Sequence, residues 1–185
     1  IDIAIKVMMD EPISEIKLKP FNLDYVGVKA PQFSFTRLGG ADPTLSVEMA
    51  STGEVGCIGD DFEEAFLKAM LSVGFKLPVQ GILLSTGETK KKAEFLPALK
   101  DLSTRGVALY GTIGTAKFYQ DHGIEIESVA WPMSADQDGA KNFVQNNAVD
   151  LIHSGKVNLV INIPKNFQKE ELTNGYYVRR AAADF

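Results

Sequence analysis

The chain has little of what builds disulfides and metal cages: among 185 residues there is one cysteine, Cys57, and two histidines, His122 and His153. A single cysteine excludes an internal disulfide and a cysteine-based zinc cage, which fits a reducing compartment. Two distant histidines argue against a metal centre. No stretch approaches the ~18 apolar residues of a membrane span, and no basic-then-apolar leader opens the chain. Basic excess is also missing: Lys and Arg number 19 against 24 Asp and Glu, a net charge of −5. Nucleic acid and anionic membranes demand a basic footprint, so neither is expected as a partner. The single basic run is Lys90-Lys91-Lys92. What is present, 45% hydrophobic and 23% charged residues, is the composition of a globular protein with a substantial core.

Two textures divide the chain. Up to about residue 76, short extended pieces alternate with turn residues. Asp24–Pro31 is a β-rich run stopped by proline, Gln32–Phe35 alternates polar and aromatic, and Val47–Met49 and Glu54–Gly59 read as further strands. Asp60-Asp61 then caps a helix whose Phe62, Ala65, Phe66, Ala69 and Met70 share one face, with Gly74 as its stop.

From Leu77 onward apolar strands and one-face helices alternate, the pattern of parallel βαβ units. The predicted strands are 81–85, 107–110, 124–131 and 158–163. Between them lie a helix carrying Phe95, Ala98, Leu99 and Leu102 with Pro97 in its first turn, a short helix ending at Gly123, and a longer one from about Ala140 to Gly155. A last helical stretch covers 176–183. In open parallel sheets ligands bind beyond the carboxyl ends of the strands. Ser85 with the lysine run, Thr112 and Thr115, Trp131, and Asn162 with Lys165 fall at those four ends. The run Leu109-Tyr110-Gly111-Thr112-Ile113-Gly114-Thr115 passes from strand to helix through two glycines and two threonines, a junction suited to a small anion: backbone amides and a helix N-terminus face it, and two hydroxyls add donors. The plainer alternative is a threonine N-cap after a glycine turn.

Two runs, Glu48-Met49-Ala50-Ser51-Thr52-Gly53-Glu54-Val55 and Val178-Arg179-Arg180-Ala181, together with Val28-Lys29-Ala30-Pro31, Ala65-Phe66-Leu67-Lys68-Ala69 and Val129-Ala130-Trp131-Pro132, carry a resemblance. The chain resembles the C-terminal region of the carbamoyl-phosphate synthetase large subunit over essentially its whole length. This implies the end of a second ATP-grasp domain over residues 1–76 and, over 77–185, a methylglyoxal-synthase-like regulatory domain. The expected fold is α/β, a Rossmann-like parallel sheet with flanking helices, preceded by a smaller α+β segment. Such synthetases make carbamoyl phosphate from bicarbonate, ammonia (often from glutamine) and ATP for pyrimidine and arginine or urea synthesis.

By that resemblance the catalytic and magnesium-binding residues lie upstream, so no catalytic or metal residue is assigned; Asp42, Glu48 and Glu54 read as solvated or capping groups. No cofactor is expected in this region, while ATP and magnesium or manganese would serve the full-length enzyme. The implied partners are a small anionic effector, N-acetylglutamate-like or nucleotide, the rest of the synthetase chain, and a glutaminase subunit or domain. The implied effector contacts are Ser85, one of Lys90 or Lys91, Thr112, Thr115, Trp131, Asn162 and Lys165. Trp131 and Asn162 match the acetylglutamate-responsive type, whereas Lys165 stands where that type has asparagine and Gly175 replaces another. Ile163-Pro164 does not match the threonine pair of the nucleotide type. The competing readings are a lyase of the methylglyoxal synthase type acting on a triose phosphate, and a purely structural oligomer contact. The chain opens inside an apparent element and stops before one more strand that the family has, so it reads as a fragment. The expected compartment is the cytoplasm, with the mitochondrial matrix as the alternative.

Overall fold

The computed structural model describes residues 2–12, 23–32, 53–135, 141–143, 146–165 and 169–184. The expected strands at 33–35 and 47–49, and Asp42 and Glu48, lie outside them. The described residues fall into two compact units. The first contains helix α1 (Asp2–Met8), most of strands β1 (Val26–Gln32) and β2 (Gly53–Gly59), which pair as a two-stranded sheet, and helix α2 (Phe62–Ser72). β1 runs through Pro31 instead of stopping before it, which a ribbon of two edge strands tolerates. Asp61 caps α2 by accepting from the Glu64 amide at 2.8 Å, and Gly74 follows at φ +100°. On the predicted apolar face only Ala65 and Ala69 are fully buried; Phe62 and Phe66 stack on each other at 5.5 Å and stay largely exposed.

The second unit takes in everything described from Gly74 onward. Its sheet holds β3 (Gly81–Thr86), β4 (Ala108–Thr112), β5 (Glu127–Val129) and β8 (Leu159–Ile163) in the order β5-β4-β3-β8, all parallel. Central β3 is buried at every position, and its period-two alternation feeds two cores. Ile82 and Leu84 join Leu99, Leu109, Ala116, Tyr119, Ile124 and Ile126 on one face. Leu83 joins Val129, Val149, Ile152, Val157 and Val178 on the other. Helices α3 (Thr89–Thr104) and α4 (Ile113–Gln120) supply the first face, α5 (Ala148–His153) and α6 (Lys169–Asp184) the second. The result is a three-layer α/β fold with parallel strands, as expected.

Several expectations change. Pro97 lies in the middle of α3, not its first turn, because the lysine-rich segment from Thr89 is already helical. Its ring leaves the Ala93 carbonyl without the usual helical donor. The third strand is three residues long, and beyond Pro132 the chain forms an unpredicted antiparallel pair, β6 (Met133–Ala135) with β7 (Lys141–Phe143). This pair displaces the helix expected from Ala140. Asn147 forms a capping box with Asp150 and starts α5 only at Ala148. β8 is half-buried throughout and lies at the edge of the described sheet. The closing helix begins at Lys169, earlier than predicted.

Candidate functional site

The glycine-rich junction is tighter than a loop. β4 runs through Gly111 and Thr112, and α4 begins at once with Ile113. Gly111 is tightly packed: a Cβ there would lie 3.0 Å from the Ile126 methyl and 3.1 Å from the Ala116 nitrogen, so a side chain would require these neighbours to give slightly. Thr112 occupies the N-cap position, yet its side chain does not cap the helix. Instead Thr112 Oγ1 donates to Thr115 Oγ1 at 3.2 Å. Thr115 Oγ1 accepts the Thr86 amide at 3.0 Å and donates to the Thr86 carbonyl at 3.1 Å. A hydroxyl has one proton and two lone pairs, so Thr115 is saturated within the protein. The expectation of two hydroxyls donating to a ligand is therefore corrected for Thr115, which staples the end of β3 to the start of α4.

Around this staple is a cavity of about 200 Å³ bounded by Ser85, Thr86, Gly87, Lys92, Thr112, Gly114, Thr115, Trp131 and Lys165. It lies at the carboxyl ends of β3, β4 and β8, where an open parallel sheet presents its ligand crevice. Five expected residues converge there: Ser85, Thr112, Thr115, Trp131 and Lys165. Lys90 and Lys91 do not line it. Both are exposed, and Lys91 pairs with Glu94 at 3.0 Å. The run contributes Lys92 instead, and the signal was in the sequence: Lys92, Phe95, Leu96 and Leu99 recur at helical spacing, which turns Lys92 toward the core side. Lys92 Nζ donates to the Gly114 carbonyl at 3.0 Å and stands 5.8 Å from the centre of the Phe118 ring. Burial, and secondly the like charge of Lys165, push its ammonium group below the ordinary lysine pKa. Fully buried Tyr119 donates to the Lys92 carbonyl at 3.2 Å, and burial pushes its phenol up.

Asn162 belongs to different surroundings. It pairs in register with Ser85, but its Oδ1 accepts from Arg179 Nη1 at 3.2 Å and borders a groove with Val160, Ala182 and Ala183 outside the cavity. Glu54 is in β2 and is not among the cavity's lining residues. Gly87 and Thr86, which the sequence reading did not single out, both line the cavity. No carboxylate or imidazole is among the cavity's described lining residues, which suits holding an anion and not abstracting a proton next to a carbonyl. No group of three metal-ligating side chains occurs among the described residues, nor a helix long and apolar enough to cross a membrane.

Residues 94–185 match the family described as MGS-like domain. Along its full length the chain is 44% identical to multifunctional protein CAD of Squalus acanthias, covering 8% of that protein. It is 43% identical to the mitochondrial carbamoyl-phosphate synthase [ammonia] of Aquarana catesbeiana, covering 12%, and 40% identical to multifunctional protein URA2 of Saccharomyces cerevisiae, covering 8%. In each case the whole chain is matched, and it spans about a tenth of the relatives' length. With a parallel α/β sheet under this match, the chain belongs to the carbamoyl-phosphate synthase family, in the part that carries the MGS-like domain.

Proposed function

We propose that the chain is the effector-binding regulatory region of a carbamoyl-phosphate synthase, an ATP-dependent ligase whose catalytic groups lie in other parts of the full-length protein. The observation that carries this reading is the cavity at the carboxyl edge of the sheet. Two amines, Lys92 and Lys165, and the side-chain-uncapped start of α4 surround it, with Trp131 as an apolar wall. Positive charge, helix-start amides and a flat ring suit a small anion with an organic body. Thr112, whose hydroxyl retains lone pairs but donates its proton to Thr115, can turn that proton to a ligand at the cost of one internal hydrogen bond. Ser85, buried at the same edge, is the remaining hydroxyl contact.

Effector binding here biases the ATP-dependent steps elsewhere by a coupling of about 1–3 kcal/mol, typical for linked sites. ATP with magnesium or manganese and a glutaminase subunit or domain belong to the complete enzyme under this reading. Pyrimidine synthesis is the favoured context.

Isothermal titration of the protein with N-acetylglutamate, UMP, IMP, UTP and phosphoribosyl pyrophosphate tests the reading. One of these should bind, and Lys92→Met should weaken it. If none binds, and the intact synthetase responds to effectors unchanged by Lys92→Met, the regulatory reading is lost.

A further inference from the structure

Gly87 is the first residue past β3, and its amide donates to the Ile163 carbonyl at 2.9 Å, carrying the β3–β8 ladder beyond the last paired strand residues. A Cβ built on Gly87 would overlap the Lys165 nitrogen, Cα and Cβ. Two of those are backbone atoms, so no rotamer change relieves the overlap and the loop after β8 has to move. Gly87 and Lys165 both line the cavity. Lys92 is held from the opposite wall, through Nζ on Gly114 and through its own carbonyl by Tyr119. The two ammonium groups thus approach from separately anchored walls.

We propose that Gly87 is a positioning residue that sets how closely Lys165 stands to Lys92 and, through that spacing, makes the cavity select a doubly charged oxyanion head over a singly charged one. The proposal rests on the anion-binding reading above. Two like charges kept close repel each other when the cavity is unliganded, and a dianion relieves that repulsion more fully than a monoanion. Lys165 across the cavity is the charged group that acts on the Lys92 ammonium; Tyr119 holds the Lys92 carbonyl, and Lys91 and Glu94 pair with each other on the same helix.

The test uses two readouts on the protein. Competitive labelling with a trace of acetic anhydride across pH, read at Lys92 by mass spectrometry, reports the local charge field. Calorimetry with inorganic phosphate and with acetate reports selectivity. In Gly87→Ala the Lys92 labelling midpoint should move to higher pH, Lys165→Gln should move it the same way, and the double variant should move it no further. Phosphate affinity should fall about tenfold in either single variant while acetate binding changes little, the size expected for one lost charge contact. Lys165→Gln replaces an exposed side chain, so it decides the matter if Gly87→Ala does not fold. A Lys92 profile unmoved by Lys165→Gln, or shifts that add in the double variant, overturns the proposal while leaving phosphate binding by the unsubstituted protein intact. Absence of phosphate binding to the unsubstituted protein, with the labelling shifts as expected, overturns the anion-binding reading and the selectivity built on it.

Discussion

Thr115 grips Thr86 from both sides of one residue, accepting its amide at 3.0 Å and donating to its carbonyl at 3.1 Å. Both residues are buried, so the end of β3 and the first turn of α4 are fixed to each other before any ligand arrives. Thr115→Val removes the hydroxyl and leaves two buried backbone groups and the Thr112 proton unpaired. We expect a loss of about 2–4 kcal/mol in urea denaturation, since each buried polar group left without a partner costs about 1–3 kcal/mol and the site partly relaxes. Thr115→Ser keeps the oxygen and should stay within about 1 kcal/mol of the unsubstituted protein.

Trp131 is the chain's single tryptophan and lines the cavity half-buried, so it reports on the site without labelling. Saturation with the correct effector should change its emission intensity and shift its maximum, and the fluorescence isotherm should match calorimetry. An effector that binds by calorimetry yet leaves Trp131 emission unchanged would sit elsewhere.

Anion binding should depend on pH through Lys92. Its folded-state pKa lies below the ordinary lysine value, so its charge is lost at lower pH than that of an unperturbed lysine. Effector affinity should therefore fall on the alkaline side earlier than for an exposed lysine, and Lys92→Arg should carry binding to higher pH. The linkage to stability has the opposite sign to that of a lysine in an ion pair. Between the lowered folded pKa and the unfolded one, the unfolded chain binds more protons, so the Lys92 contribution to stability rises with pH across that window. Calorimetric titrations and urea midpoints between neutral and strongly alkaline pH check both.

Asn147 is 1% exposed and accepts from the amides of Val149 at 2.7 Å and Asp150 at 3.3 Å, while the Asp150 carboxylate accepts from the Asn147 amide at 3.2 Å. Asn147→Ala should cost about 1–2 kcal/mol, the usual range for a lost N-cap, measured by denaturation. Asn147→Asp should retain most of it.

The alternation of apolar strands and one-face helices was legible because β3, β4 and β8 and their helices bury side chains at regular periods. Ile82, Leu84 and Leu99 reach one core and Leu83 the other without help from distant context. The carboxyl edge followed from parallel topology, and with it Ser85, Thr112, Thr115, Trp131 and Lys165. What escaped depended on phase and on contacts remote in sequence. Lys92, and not Lys90 or Lys91, lines the cavity because the start of α3 at Thr89 fixes which lysine faces inward. Asn162 turned to Arg179, a partner 17 residues on that strand periodicity does not reveal. The β6–β7 pair is local, Met133 facing Phe143 and Ala135 facing Lys141, but its two strands are only three residues each, too short for a period-two pattern to show in the sequence. Thr115 had the right place and a different task, because a helix-start hydroxyl does not announce whether its partner is a ligand or a strand end.

Thr112 brings the chain into α4 with its hydroxyl on the Thr115 side chain and not on the first helical amides, so a solute from solution can finish what the sequence leaves open there. A metabolite seated on those amides would act as a removable structural part as well as a signal. At 100 times its dissociation constant it would add about 2.7 kcal/mol to folding stability by mass action alone. Proteolytic lifetime and melting temperature of the region would then track the abundance of that metabolite.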